Sequence, residues 1–166
     1  LKMYVDENVL NFMGNREYES TIMANETIEG TVMFIDICGF TTISENESAD
    51  TVVKMVNAYF DEMVKEIIGH KGYIDKFIGD AIMAVFRGEY HLDRAIDAAL
   101  AVCDKINTLT DIGSDFNYSP KVSIGIKSGE MVSGNIGSVS LKRLDYTVIG
   151  DTVNTAARLQ DAAKAN

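Results

Sequence analysis

Between Ser48 and His70 apolar side chains return every three or four residues: Val52, Met55, Val56, Tyr59, Phe60, Met63, Val64 and Ile67. That spacing places all eight on one side of a helix, and Gly69 and Gly72 stand where it should stop. A helix with so wide an apolar side has to lie on something, and the flanking sequence supplies it. Before it comes the dense run Thr31–Ile37 (TVMFIDI); after it come Tyr73–Ile78 and Ala81–Phe86, joined tightly around Gly79-Asp80 as a hairpin. A second helix is expected over Leu92–Leu109, with Ala95, Ile96, Ala99, Leu100, Cys103 and Ile106 turned inward. Val122–Lys127 and Glu130–Asn135 read as strands separated by Ser128-Gly129, and Lys142–Ile149 as another. Gly150-Asp151 then opens a last helix running towards Asn166. Helices set between strand pairs predict an α+β fold: a ferredoxin-like βαββαβ sandwich, its helices on one face of a mostly antiparallel sheet.

A chain of 166 residues fits one domain able to bury a real core. Residues 26–166 form the expected domain. Residues 1–25 read as an amphipathic lead-in, with Tyr4, Val5, Val9, Leu10 and Met13 apolar among charged neighbours. It is either a helix packed on its own domain or a connector from an upstream module, and a start at Leu1 fits a fragment. Apolar residues make up 46% and no run reaches the roughly 18 residues of a membrane span, so no direct membrane contact is expected of this domain. No signal peptide opens the sequence. Cys38 and Cys103 sit in apolar patterns without metal-ligand spacing, which predicts buried free thiols and a reducing, cytoplasmic location. The formal net charge of −10 argues against nonspecific binding to nucleic acid or anionic lipid. A chain this acidic that handles phosphates must bring metal ions and a few well-placed bases.

Asp36 is the first anomaly, a carboxylate embedded in an apolar strand, costly to bury unless it is paired or holds a metal. It reads either as a metal ligand or as a strand-end aspartate facing water or capping the turn at Gly39. Asp80, in the hairpin turn, is explained by turn chemistry alone. Two strand-end carboxylates on adjacent strands could nevertheless share two hard cations, which lie about 3.5–4 Å apart in two-metal phosphoryl-transfer sites. Mg²⁺ suits such a site, because it takes one or two carboxylates plus phosphate oxygens and water. The stretch Ile37-Cys38-Gly39-Phe40-Thr41 is a candidate source of backbone N–H groups for a triphosphate. Asn154 and Arg158, four residues apart, share one face of a helix. They read as a solvent-facing polar stripe or, given Val153, Ala156 and Ala157 around them, as an interfacial pair whose guanidinium stabilises phosphate charge.

Four segments in series, FIDICGFT, DKFIGDAIMAVF, GIKSGEMVSGNIGS and DYTVIGDTVNTAARL, resemble the catalytic domain of class III adenylyl and guanylyl cyclases. The likeness runs from about Gly30 to the end, and it implies a dimer with active sites built across the interface. By position, Asp36 and Asp80 match the metal-binding aspartates of one subunit, with Ile37 beside Asp36 at the same site. Lys76 and Thr147 match the pair that reads the purine, contributed by the other subunit. Asn154 matches the residue that orients the ribose and Arg158 the one that contacts phosphate; Arg143, with Lys142 able to share the role, matches a triphosphate-binding base. Gly39, Phe40 and Thr41 fall in the turn expected at the phosphates. Since one chain holds all of these, the resemblance implies a homodimer with two equivalent sites and two divalent ions, Mg²⁺ or Mn²⁺. It also implies an upstream regulatory domain, a setting within a larger sensor or membrane protein, and C-terminal strands beyond the helix that ends here.

Lys76 can only donate, which suits N1 of adenine, and Thr147 can accept from the adenine amino group. ATP is therefore the expected substrate and cyclic AMP the expected product. Guanylyl cyclases of the family usually carry an acidic residue at the position of Lys76, and many adenylyl cyclases carry an aspartate at that of Thr147. A threonine hydroxyl both donates and accepts, so by itself it discriminates less strictly. The competing readings are a guanylyl or dual-specificity cyclase and a non-catalytic cyclase-like module that dimerises or binds nucleotide. His70 and His91 read as surface histidines, so no dedicated general base is expected.

Overall fold

The computed structural model describes residues 25–109, 121–138 and 143–164. Most of the expected lead-in lies outside them, as does Lys142. In chain order the elements are β1 (Glu26–Cys38), α1 (Phe40–Asn46), α2 (Ala49–Gly69), β2 (Tyr73–Ile78), β3 (Ala81–Arg87), α3 (His91–Thr108), β4 (Lys121–Ser138), β5 (Arg143–Ile149) and α4 (Asp151–Lys164). The strands form one sheet in the order β2-β3-β1-β4-β5, with every neighbouring pair antiparallel. Its first four strands have the ferredoxin-like βαββαβ arrangement, and β5 extends the edge.

The apolar run in β1 has a simple cause. The strand lies mid-sheet between β3 and β4, so both of its faces are covered and residues Gly30–Ile37 are all buried. On one face α2 and α3 pack against Met33, Ile35, Ile37, Ile82, Ala84 and Phe86. Helix α2 buries Val52, Met55, Tyr59, Met63 and Ile67, the expected stripe. It starts at Ser48, whose hydroxyl accepts from the Thr51 N–H at 3.3 Å, a cap worth about 1 kcal/mol.

Three expectations change. Helix α3 buries Ala95, Ala98, Ala99, Val102 and Ile106, whereas Ile96 and Leu100 are exposed. Three alanines let the helix sit close on the sheet, and that contact selects a narrower strip than the apolar pattern suggested. Secondly, α4 lies on the opposite face from α2 and α3, where Ala156, Val153 and Ala157 join Val32, Phe34, Met83, Val85, Met131, Tyr146 and Val148 in a second core. Thirdly, Ser128-Gly129 does not divide two strands; β4 runs unbroken through it, paired with β1 from Lys121 to Ser133. Two glycines of β4 answer to α4 instead. A Cβ at Gly129 would stand 2.7 Å from the Thr152 hydroxyl, and one at Gly125 would collide with the Ala156 carbonyl and the Gln160 backbone. Two hydrogen bonds then fasten the helix: Thr152 Oγ1 donates to the Glu130 carbonyl at 2.7 Å, and Gln160 Nε2 donates to Ser123 Oγ at 2.6 Å.

Cys38 and Cys103 are free thiols but only half-buried. His70 and His91 are half-buried and engaged: His70 Nδ1 lies 2.7 Å from the Glu66 carbonyl, and His91 Nδ1 lies 2.7 Å from the Thr31 hydroxyl. Among the described residues no helix is long and apolar enough to cross a membrane.

Candidate active site

Two clusters of charge gather the predicted residues, and each is centred on a buried aspartate. The first lies where β1 ends beside the β2–β3 turn. Asp36 faces Ala81 on β3 and Ser123 on β4 in the ladder, and the Ile37 N–H donates to the Asp80 carbonyl at 3.4 Å, tying the turn to the strand end. Gly79 supplies the positive φ of 59° that the tight turn needs. Asp36 is 3% exposed, and its Oδ1 is buried with no hydrogen-bond partner among the described residues. Burial pushes the Asp80 carboxyl above the ordinary carboxylate range, and the adjacent Asp36 carboxylate pushes it further, against the pull of Lys164. Lys164, from the last turn of α4, ion-pairs with Asp36, and that contact raises its own pKa.

These residues fit divalent metal ions. Among the described residues Asp36 Oδ1 has no partner, the Asp80 carboxyl lies beside it, and the Lys164 ammonium pairs with the same carboxylate. Among the described residues no group of three or more His, Cys, Asp or Glu side chains could hold a metal. Hard cations here would therefore take their remaining ligands from phosphate and water, as Mg²⁺ usually does. Gly39, in the left-handed region at φ 80°, turns the chain from β1 into α1, where Phe40 and Thr41 are the first residues. The side chains of Phe40, Thr41 and Arg143 lie outside the described set; as backbone, Arg143 opens β5.

The second cluster brings together residues from the two outer strands. Lys76 on β2 and Thr147 on β5 meet around Asp75, a residue that sequence reasoning passed over. The Asp75 side chain is 1% exposed. Thr147 Oγ1 lies 2.9 Å from each of its oxygens, the Val148 N–H donates to Oδ2 at 3.3 Å, and Lys76 Nζ stands 3.6 Å from Oδ1. A bulge makes this possible. In the β2–β3 ladder Ile74 pairs with Ala84 and Lys76 with Met83, so Asp75 is the extra residue. Adjacent strand residues ordinarily point to opposite faces; the bulge lets Asp75 and Lys76 serve the same side. Burial raises the pKa of Asp75, and Thr147, Lys76 and Val148 each oppose that rise.

Asn154 and Arg158 lie on α4 and are exposed. Among the described residues Arg158 bonds only within its own helix, with Nη2 3.2 Å from Thr155 Oγ1 and 3.7 Å from Asp151 Oδ1, and its side chain is 71% exposed. The single chain therefore joins Asp36 to Asp80, and Lys76 to Thr147, but leaves the Asn154/Arg158 pair facing outward. A cavity of about 320 Å³, lined by Lys71, Arg87, Glu89, Tyr90 and Arg94, shares no residue with these groups.

Residues 22–166 match the family model for the adenylate and guanylate cyclase catalytic domain. The chain belongs to that family. Among solved structures similar to it, the adenylyl cyclase CyaB from P. aeruginosa is 31% identical with a TM-score of 0.78, over 84% of this chain and 74% of that one. A bacterial light-regulated adenylyl cyclase is 32% identical with a TM-score of 0.74, over 84% and 72%. The guanylyl cyclase Cya2 is equally near, 32% identical with a TM-score of 0.75, over 84% and 73%. An uncharacterized protein of Mycobacterium tuberculosis is 38% identical over 150 residues, which is 90% of this chain. The chain spans about 27% of that relative's length.

Proposed function

We propose that this cyclase domain is an adenylyl cyclase, converting ATP to cyclic AMP and pyrophosphate as a homodimer with two shared sites. The observation that carries the ATP reading is the meeting of Lys76 with Thr147. An ammonium that can only donate stands beside a hydroxyl able to accept, the complement of adenine N1 and its amino group. In the reaction the ribose 3′ oxygen forms a bond to the α-phosphorus, the bond to the pyrophosphate oxygen breaks, and the 3′ proton passes to water or substrate phosphate. Asp36 and Asp80 hold the divalent ions, which when bound lower the pKa of the 3′ hydroxyl and neutralise triphosphate oxygens. Asn154 orients the ribose and Arg158 meets phosphate charge in the transition state.

A second copy of the chain is what the exposed pair asks for. Among the described residues the exposed Arg158 side chain reaches only its own helix, and a site needing Asn154 and Arg158 beside Asp36 would be completed from another chain. The similarity to a guanylyl cyclase at equal identity supports GTP as the second reading. Incubation with ATP and GTP separately, with Mg²⁺ or Mn²⁺, decides between them. Cyclic AMP from ATP, absent in Asp36→Ala, is expected; preferential formation of cyclic GMP would replace the ATP reading, and an active Asp36→Ala would remove the metal role.

A further inference from the structure

We propose that Asp75 sets the purine preference by fixing the direction of the Thr147 hydroxyl proton. The proposal rests on the ATP reading and deepens it. A threonine hydroxyl has one proton and two lone pairs, and it ordinarily rotates to suit whatever it meets. An ionised carboxylate can only accept. With Thr147 Oγ1 2.9 Å from both Asp75 oxygens, the hydroxyl proton is committed to Asp75. Thr147 then offers only lone pairs to anything else. The Val148 N–H and the Lys76 ammonium hold the carboxylate in place from two other directions, so it is not free to turn away.

The consequence is a pair with fixed polarity: Lys76 donates and Thr147 accepts. Adenine, with its N1 acceptor and amino donor, matches both. Guanine, with its N1–H donor and O6 acceptor, opposes both. A threonine with a free proton could turn that proton towards O6 and serve either base, which is the latitude threonine has at this position when read from sequence. Asp75 removes it. The bulge in β2 is the structural means, since a regular strand would send Asp75 and Lys76 to opposite faces. Asp75 is a positioning residue in this scheme: it acts through Thr147 and Lys76 without touching the nucleotide.

The test compares kcat/KM for ATP and GTP in the parent, D75N, T147V and the D75N/T147V double variant, with thermal melts as a folding control. The asparagine amide can donate to Thr147 and so free its proton. D75N is expected to lower the ATP-to-GTP ratio by about 10- to 100-fold, the range open to a mispaired polar group in a site of this kind. T147V should lower it similarly, and the double variant should fall no further than T147V, because Asp75 acts through that hydroxyl. D75E, which keeps an acceptor, should retain the preference for ATP. A D75N protein that loses activity on both nucleotides in proportion, with the ratio unchanged, would overturn the proposal by reducing Asp75 to a structural role. An unchanged ratio in T147V would overturn it too. A parent that prefers GTP would instead refute the ATP reading itself, an outcome seen before any variant is made. Should D75N not fold, D75S, smaller and also able to donate to Thr147, takes its place with the same outcomes.

Discussion

Asp36 and Asp75 are both carboxylates buried beside a half-exposed lysine, and their surroundings differ in one respect. Asp75 meets a hydroxyl, a backbone N–H and an ammonium, all supplied by the chain. Asp36 has one ammonium on one oxygen, no partner for the other among the described residues, and a second carboxyl beside it. A buried charge is tolerable only when its partners are present. Asp75 has its partners within the chain, while Asp36 keeps an oxygen to which the described residues offer none, as the proposed metal role requires. Burial alone does not separate the two; the inventory of partners does.

The sharpest way to break this contrast is to change the residues of each cluster in turn. Asp36→Ala is expected to lower turnover of either nucleotide by about 10³-fold or more, beyond the loss of a single oriented donor in an active site. Measured cyclic nucleotide formation within tenfold of the parent would refute it. The lysines give a matched pair. Without added metal, Lys164→Gln leaves Asp36 with no cation and should cost about 1–2 kcal/mol of stability, less than a fully buried pair because Lys164 is half-exposed. Mn²⁺ should restore the lost Tm. Lys76→Gln should cost less than about 0.5 kcal/mol, since Thr147 and Val148 still hold Asp75; urea melts of both variants read the difference directly.

The smallest effect concerns pH. Burial raises the pKa of Asp75 above its unfolded value near about 3.9, so the folded state favours its protonated form. The stability this contributes is complete below the unfolded pKa and disappears as pH climbs through the folded one. D75N lacks that dependence. Relative to D75N, the parent should therefore lose Tm as pH rises from about 4 towards neutrality; a difference, Tm of the parent minus Tm of D75N, that increases or stays flat over that range would contradict the sign.

The oddity of Asp36 was legible from sequence because a carboxylate inside TVMFIDI breaks an apolar run, and the turn position of Asp80 because Gly79 precedes it. Asp75 was not. In YIDKFIGD the charges of Asp75 and Lys76 are adjacent, and the family motif draws attention to Lys76 alone. Its partner Thr147 is 72 positions away in sequence, brought close only because the sheet curls until its outer strands touch. The stripe of α2 could be read because one helix on one sheet face is a periodic problem. On α3 the apolar residues outnumber the places available, and the alanines that permit close approach decided which ones were buried. Gly125 and Gly129 showed the same limit: a glycine that makes room for a helix has the same spelling as one that makes a turn.

The bond from Val148 to Asp75 has a further effect. β5 is an outer strand, and outer strands carry unpaired amides that invite another chain to add itself as the next strand, the usual seed of aggregation. At Val148 that amide is already taken by a side chain from the opposite margin of the same sheet. Loss of the aspartate would reopen the border there, leaving a place where a neighbouring molecule could stitch itself on.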